Sequence, residues 1–90
     1  MTVRAHIFIY GEVQGVFLRR SAKMQADKLS VVGLVRNRRD GSVEIIAQGP
    51  KDKVNAFIKW CKKGPPFAAV DEIKIEWQNA TGELKRFEIL

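Results

Sequence analysis

The sequence predicts an α+β fold in which two helices cover one face of an antiparallel sheet, and three observations carry that prediction. Several segments rich in β-branched and aromatic residues alternate with period two, as half-buried strands do. Two other segments repeat their apolar residues at helical spacing. Between two of the strand-like runs lies Asp40-Gly41, a pair that tolerates the positive φ a tight hairpin needs.

Taken in order, residues 3–10 form the first strand, with Ala5, Ile7 and Ile9 on one face and His6, Phe8 and Tyr10 on the other. Leu18, Ala22, Gln25-Ala26 and Leu29 recur at i, i+4, i+7/i+8 and i+11, an amphipathic helix. Residues 31–37 and 42–48 flank Arg38-Arg39-Asp40-Gly41 as two antiparallel strands. Val54, Phe57, Ile58 and Cys61 predict a second helix over residues 51–62, with Pro50 suited to its first turn and Gly64 to its end. Residues 70–77 alternate again, placing Ile73, Ile75 and Trp77 inward and Lys74 and Glu76 outward. A short strand over residues 85–89 comes last. The order β-α-β-β-α-β with one extra short strand is the ferredoxin-like, split βαβ sandwich. That order selects no function, because the fold hosts enzymes, RNA-binding modules and metabolite sensors.

Length and composition narrow the field further. Ninety residues suffice for one domain, here residues 1–90, and are too few for two. A hydrophobic fraction of 46% with 29% charged residues is a globular balance. The net charge of +6, from 16 Lys and Arg against 10 Asp and Glu, draws anions of any kind to the surface and equally serves solubility. Cys61 is the only cysteine, which excludes an intramolecular disulfide and a Cys-rich metal site. The apolar run Ile7 to Tyr10 stops at Gly11 and Glu12. It makes neither a signal peptide nor a span of about 20 apolar residues, so a cytoplasmic protein is expected.

The chemistry-bearing stretch is the loop between the first strand and first helix, residues 11–20, GEVQGVFLRR. Gly11 and Gly15 permit a tight backbone path with little side-chain bulk above it. A loop entering a helix N-terminus presents unpaired N–H groups to an anion. An arginine in that first turn adds a planar fork that matches two phosphate oxygens. On spacing alone, the same pattern also suits a plain strand-to-helix turn with a solvated arginine. It lacks the Gly-Lys-Ser/Thr of a Walker A loop and the G-x-G-x-x-G of a dinucleotide fingerprint.

Two motifs break that tie. Gly-x-Val-Gln-Gly-Val-x-x-Arg at residues 11–19 resembles the signature loop of the acylphosphatase family. Gly33-Leu34-Val35-Arg36-Asn37 followed by Asp40-Gly41-Ser42-Val43 resembles its second signature segment. Gly49, Val54, Phe57, Gly64-Pro65-Pro66, Ala69 and Val70 extend the likeness along essentially the whole chain. The resemblance implies hydrolysis of the carboxyl–phosphate bond of acyl phosphates with no metal or organic cofactor. It implies that Arg19 and the loop amides of Glu12, Val13, Gln14, Gly15, Val16 and Phe17 bind phosphate, and that Asn37 orients the attacking water. The partners it implies are a small-molecule acyl phosphate and the inorganic phosphate product, with no nucleic acid and no membrane, and the expected state is a monomer.

Four positions depart from the family pattern. Leu18 stands where an aromatic residue is usual, Phe17 where a small residue is common, Leu34 for a frequent tryptophan, and Arg38 for a frequent threonine. Arg38 and Arg39 are expected to add positive charge near the site. Other noticeable residues read as structural: His6 as a structural or surface group, Cys61 as core, Trp60 and Trp77 as cover for core or edge, Asp40 as turn chemistry, and Glu12 as a solvated carboxylate. The rival reading is a non-catalytic RNA-binding module of the same element order, which stacks bases on aromatics of its first and third strands. Phe8 and Tyr10 would supply half of that platform, but residues 42–47 contain no aromatic and place Glu44 there instead.

Overall fold

A computed structural model describes every residue from Met1 to Leu90. Its elements are β1 (Thr2–Glu12), α1 (Leu18–Leu29), β2 (Val32–Asn37), β3 (Val43–Pro50), α2 (Lys51–Lys63), β4 (Ala69–Gln78) and β5 (Phe87–Ile89). The strands form one sheet in the order β4-β1-β3-β2-β5. The four long strands pair antiparallel, as expected. The short fifth strand instead lies parallel to β2, with Gly33 opposite Phe87 and Val35 opposite Ile89, so the sheet is mixed.

The core follows from the alternation in β1. Ala5, Ile7 and Ile9 are fully buried, as are Val43, Ile45 and Ala47 of the neighbouring β3. Against this face α1 sets Leu18, Ala22 and Ala26, and α2 sets Val54, Phe57, Ile58 and Cys61. Both helices therefore bury the stripe that their period defines. Burial also pushes the Cys61 thiol far up from its ordinary pKa, which keeps it protonated and unreactive. Trp77 departs from expectation. It shares the inward parity of Ile73 and Ile75 but is 52% exposed, because it sits on edge strand β4, opposite the small Ala5. No helix is long and apolar enough to cross a membrane.

On the opposite face of the sheet, His6, Phe8 and Tyr10 are half-buried. Their rings already have partners: His6 stacks on Phe8 at 4.4 Å, Arg38 lies over Phe8 at 5.1 Å, and Lys74 over Tyr10 at 5.5 Å. Glu44 is the hub of this face, accepting from Arg36 Nε at 2.6 Å and lying 2.5 Å from His6 Nε2. Burial raises the Glu44 carboxyl, but the hydrogen bonds of His6 and Arg36 outweigh it and hold the group below its ordinary value of 4.5. A carboxyl held low contributes stability that is complete above that value and lost as pH falls through the lowered one. Glu44→Gln should therefore melt at a lower temperature than the wild type at neutral pH. The gap should narrow on acidification below about pH 4.5. Thermal melts at a series of pH values read this directly, and a gap constant down to about pH 3 would contradict it.

Candidate active site

The site is shaped by how β1 hands over to α1. The pairing of β1 with β4 shifts register between Tyr10 and Gly11. Gly11 has φ 130°, and a Cβ on it would meet the Ala69 carbonyl oxygen at 2.2 Å. Only glycine accepts both that φ and that approach. Past the end of β1, Val13 is buried in the core at 1% exposure. The Gln14 side chain turns to the β2–β3 hairpin, where its Nε2 donates to the carbonyls of Arg38 at 2.7 Å and Ser42 at 2.9 Å. Core and hairpin thus anchor the loop at adjacent residues.

Beyond these anchors the backbone passes twice through the left-handed region, at Gly15 (φ 75°) and Phe17 (φ 63°). Glycine adopts this freely, whereas a bulky residue there is strained by about 1–2 kcal/mol. Phe17 is also the N-cap of α1 and offers its first turn no side-chain acceptor. Throughout residues 13–20, no main-chain N–H donates to a main-chain or side-chain acceptor of the protein. The first turn contains no acidic residue and instead carries Arg19 and Arg20. Cations at the positive end of a helix are unfavourable by about 0.3–1 kcal/mol each. A single anion seated on this turn would satisfy the amides and offset the misplaced charge together.

Arg19 is oriented rather than free. Its Nη1 donates to the Leu90 main-chain oxygen at 3.1 Å, and the Leu90 N–H donates in turn to the Val35 carbonyl at 2.9 Å. The parallel β5–β2 pairing is what carries Leu90 to that position. Asn37 ends β2 opposite Val43 and is exposed.

Of the residues expected from sequence, Val13, Gly15, Phe17, Arg19 and Asn37 line one cavity of about 390 Å³. Glu12, Gln14 and Val16 do not line it. Glu12 ends β1 paired with Ala69, Gln14 serves the hairpin, and Val16 packs half-buried against the core. Leu18, Arg20 and Ile89 complete the lining. Arg20 was signalled only by sitting beside Arg19 in an acid-free turn, and Ile89 had no local signal. Arg38, expected to add charge near the site, directly follows Asn37. Its guanidinium rests on Phe8, 3.8 Å from Asp40, and is not part of the cavity wall. Asp40 is turn chemistry, since the Ser42 hydroxyl and amide donate to it at 2.5 and 2.9 Å and hold its carboxyl below the usual range.

A larger cleft of about 770 Å³ opens between the helices near Met24, Trp60 and Pro65. Size does not make it the site, because the unpaired amides and Asn37 lie at the smaller cavity. In this ferredoxin-like sandwich an uncapped helix start, two arginines and an asparagine share one hollow, an arrangement able to receive an anion. Comparison with known proteins makes this specific. Residues 5–89 match the acylphosphatase family profile. The acylphosphatase of Pyrobaculum calidifontis is 52% identical over 89 residues, 98% of this chain and 81% of that one. In three dimensions the chain is similar to the acylphosphatase of Bacillus subtilis, with TM-score 0.94 and 38% identity over 100% of this chain and 99% of the other. It is also similar to that of Coxiella burnetii, with TM-score 0.92 and 32% identity over 99% and 93% of the two chains. The chain belongs to the acylphosphatase family and is a hydrolase of that kind.

Proposed function

We propose that the protein hydrolyses the carboxyl–phosphate bond of acyl phosphates by direct attack of water, with the phosphate held by residues 13–19 and Asn37 aiming the water. The observation that carries this reading is the run of main-chain N–H groups without a protein acceptor, ending at a fixed Arg19 in the same hollow as Asn37. The chemistry asks for little more. The leaving group is a carboxylate whose conjugate acid has a pKa of about 4, so it departs unprotonated and no general acid is needed. Water forms the new P–O bond, the acyl C–O oxygen leaves with the electron pair of the broken P–O bond, and the water protons end on phosphate and solvent. What remains is positioning and neutralising the equatorial oxygens, which fixed amides and a guanidinium supply without a metal.

Asn37 has one task in this scheme. Its amide oxygen accepts a hydrogen bond from water and sets its line of approach, although an amide is too weak a base to remove the proton. Asn37→Ala should leave inhibition by inorganic phosphate within about threefold while kcat falls about 100-fold, the usual cost of losing a positioning contact. If phosphate inhibition is lost instead, Asn37 shapes the pocket and does not direct water. For the whole reading the test is simpler: chelator-treated protein is incubated with acetyl phosphate, and turnover no faster than buffer from folded protein rules it out.

A further inference from the structure

The two edges of the sheet are not alike. One ends in β5, which is three residues long, and shortness is one way in which an edge avoids pairing with other chains. The other is β4, ten residues without a proline, which pairs only with β1 and has no bulge from Glu72 to Gln78. After Gln78 the chain turns back over the sheet, where Thr81 meets Arg4 and Gln48, and does not return to pair with this edge.

The registers fix which groups the edge presents. The Gly33 N–H donates to Arg86 and the Val35 carbonyl accepts from Leu90, so odd-numbered residues of β2 turn their main chain toward β5. Main-chain groups alternate sides along a strand, and the pairs Leu34–Ile46, Ile45–Ile7 and Phe8–Lys74 carry that alternation across the sheet. Glu72, Lys74, Glu76 and Gln78 therefore bond toward β1, while Ile73, Ile75 and Trp77 point their N–H and C=O groups out of the edge. The side chains here are also free of ionic partners. No ion pair uses Glu72, Lys74 or Glu76, and Trp77 is 52% exposed.

We propose that β4 is an interface for a second copy of this chain, joined edge to edge about a two-fold axis at Ile75 into one continuous sheet. In that antiparallel register Ile75 faces its own counterpart, and Ile73 faces the partner's Trp77, as hydrogen-bonded pairs. The closer, non-hydrogen-bonded positions set Lys74 against the partner's Glu76, and Glu72 against the partner's Gln78. Opposite charges so placed attract, and aromatic side chains pack well on β-branched ones. An axis at Lys74 would set that lysine against itself. One at Ile73 would leave Glu76 opposite Val70 and Trp77 opposite Ala69. The strand thus matches itself best about Ile75, and Trp77 gains the apolar neighbour that Ala5, beside it on β1, is too small to be. The monomer implied by the resemblance is then the dilute form.

Sedimentation velocity on the full chain from about 1 μM to 1 mM tests this, a range that brackets a modest interface. The wild type should pass from monomer to dimer within it. Lys74→Glu and Glu76→Lys change exposed residues, and each sets like charges opposite one another. Each should weaken self-association about tenfold. Mixed in equal amounts, the two variants restore opposite charges at both contacts, so they should form a heterodimer at least as tight as the wild-type dimer. Thermal melts of the dilute variants establish that each is folded. A wild type that stays monomeric to about 1 mM overturns the proposal. So does self-association unchanged in either folded variant, as pairing about Ile73 would give for Glu76→Lys, or a mixture that stays monomeric.

Discussion

Arg19→Ala should lower kcat/KM for an acyl phosphate about 1,000-fold while leaving the fold intact. The size follows from the role proposed for it, since removing a fixed cation from a phosphoryl-transfer site costs about 10³–10⁵ in rate. The residue is pre-set for that task by the Leu90 oxygen that its guanidinium contacts. Lysine should rescue poorly, because a point charge on a flexible stem lacks the paired donors that fit two phosphate oxygens. Stability should move the other way from activity. Arg19 sits at the positive end of α1 with no acidic neighbour in its turn, so alanine there removes an unfavourable charge–dipole contact and is a better helix former. In phosphate-free buffer the variant should melt at or slightly above the wild-type temperature. Added phosphate should raise the melting temperature of the wild type and barely move that of the variant, since only a bound ligand shifts unfolding by mass action. Phosphate stabilisation unchanged by Arg19→Ala would remove the arginine from the binding site.

Which parts of this arrangement could be read from the chain depends on the range of the interactions that make them. The periods in β1, α1 and α2 are local and each is imposed by one buried face, so Ile7, Ala22 and Phe57 could be placed inward from spacing alone. Asp40-Gly41 fixed the hairpin for the same reason, and the structure adds only that Ser42 completes it. Arg19 and Asn37 were legible through the motifs that contain them, not through any physical signal strong enough to stand alone. What could not be read was set by pairing at a distance. Three residues, Phe87–Ile89, carry no useful period, and their parallel addition to β2 brings Ile89 to the cavity and Leu90 to Arg19. The side-chain role of Gln14 was hidden likewise, because its acceptors are the carbonyls of a hairpin folded beside it. Arg38 follows the last residue of β2, and its guanidinium rests on Phe8 beside Asp40, outside the cavity lining.

Gly33→Ala should be the most damaging methyl group that can be added to this protein. Gly33 lies inside β2, buried between β3 and β5, at φ 148°. A Cβ built there would stand 1.7 Å from the Ile46 carbonyl oxygen and 2.7 Å from its carbon. Both are backbone atoms of the neighbouring strand, so no rotamer change relieves the overlap. Either β2 separates from β3 or its backbone leaves the glycine-only region, which also disturbs the Gly33 N–H bond to the Arg86 carbonyl. The expected loss is about 4 kcal/mol or more, a large share of the roughly 5–15 kcal/mol that holds a domain together. Gly15→Ala separates the two causes. Gly15 also has positive φ, but nothing lies within 4 Å of an added Cβ, so only the conformational cost of about 1 kcal/mol applies. Urea unfolding of both variants should therefore differ by about 3 kcal/mol. Equal losses would mean that backbone conformation, not the contact with Ile46, makes glycine necessary. The site would register the same event, because Asn37 ends the strand that Gly33 begins to distort and Leu90 hangs from its Val35 carbonyl. Activity in Gly33→Ala should accordingly fall with the folded fraction and beyond it, as Asn37 and the support of Arg19 both rest on β2.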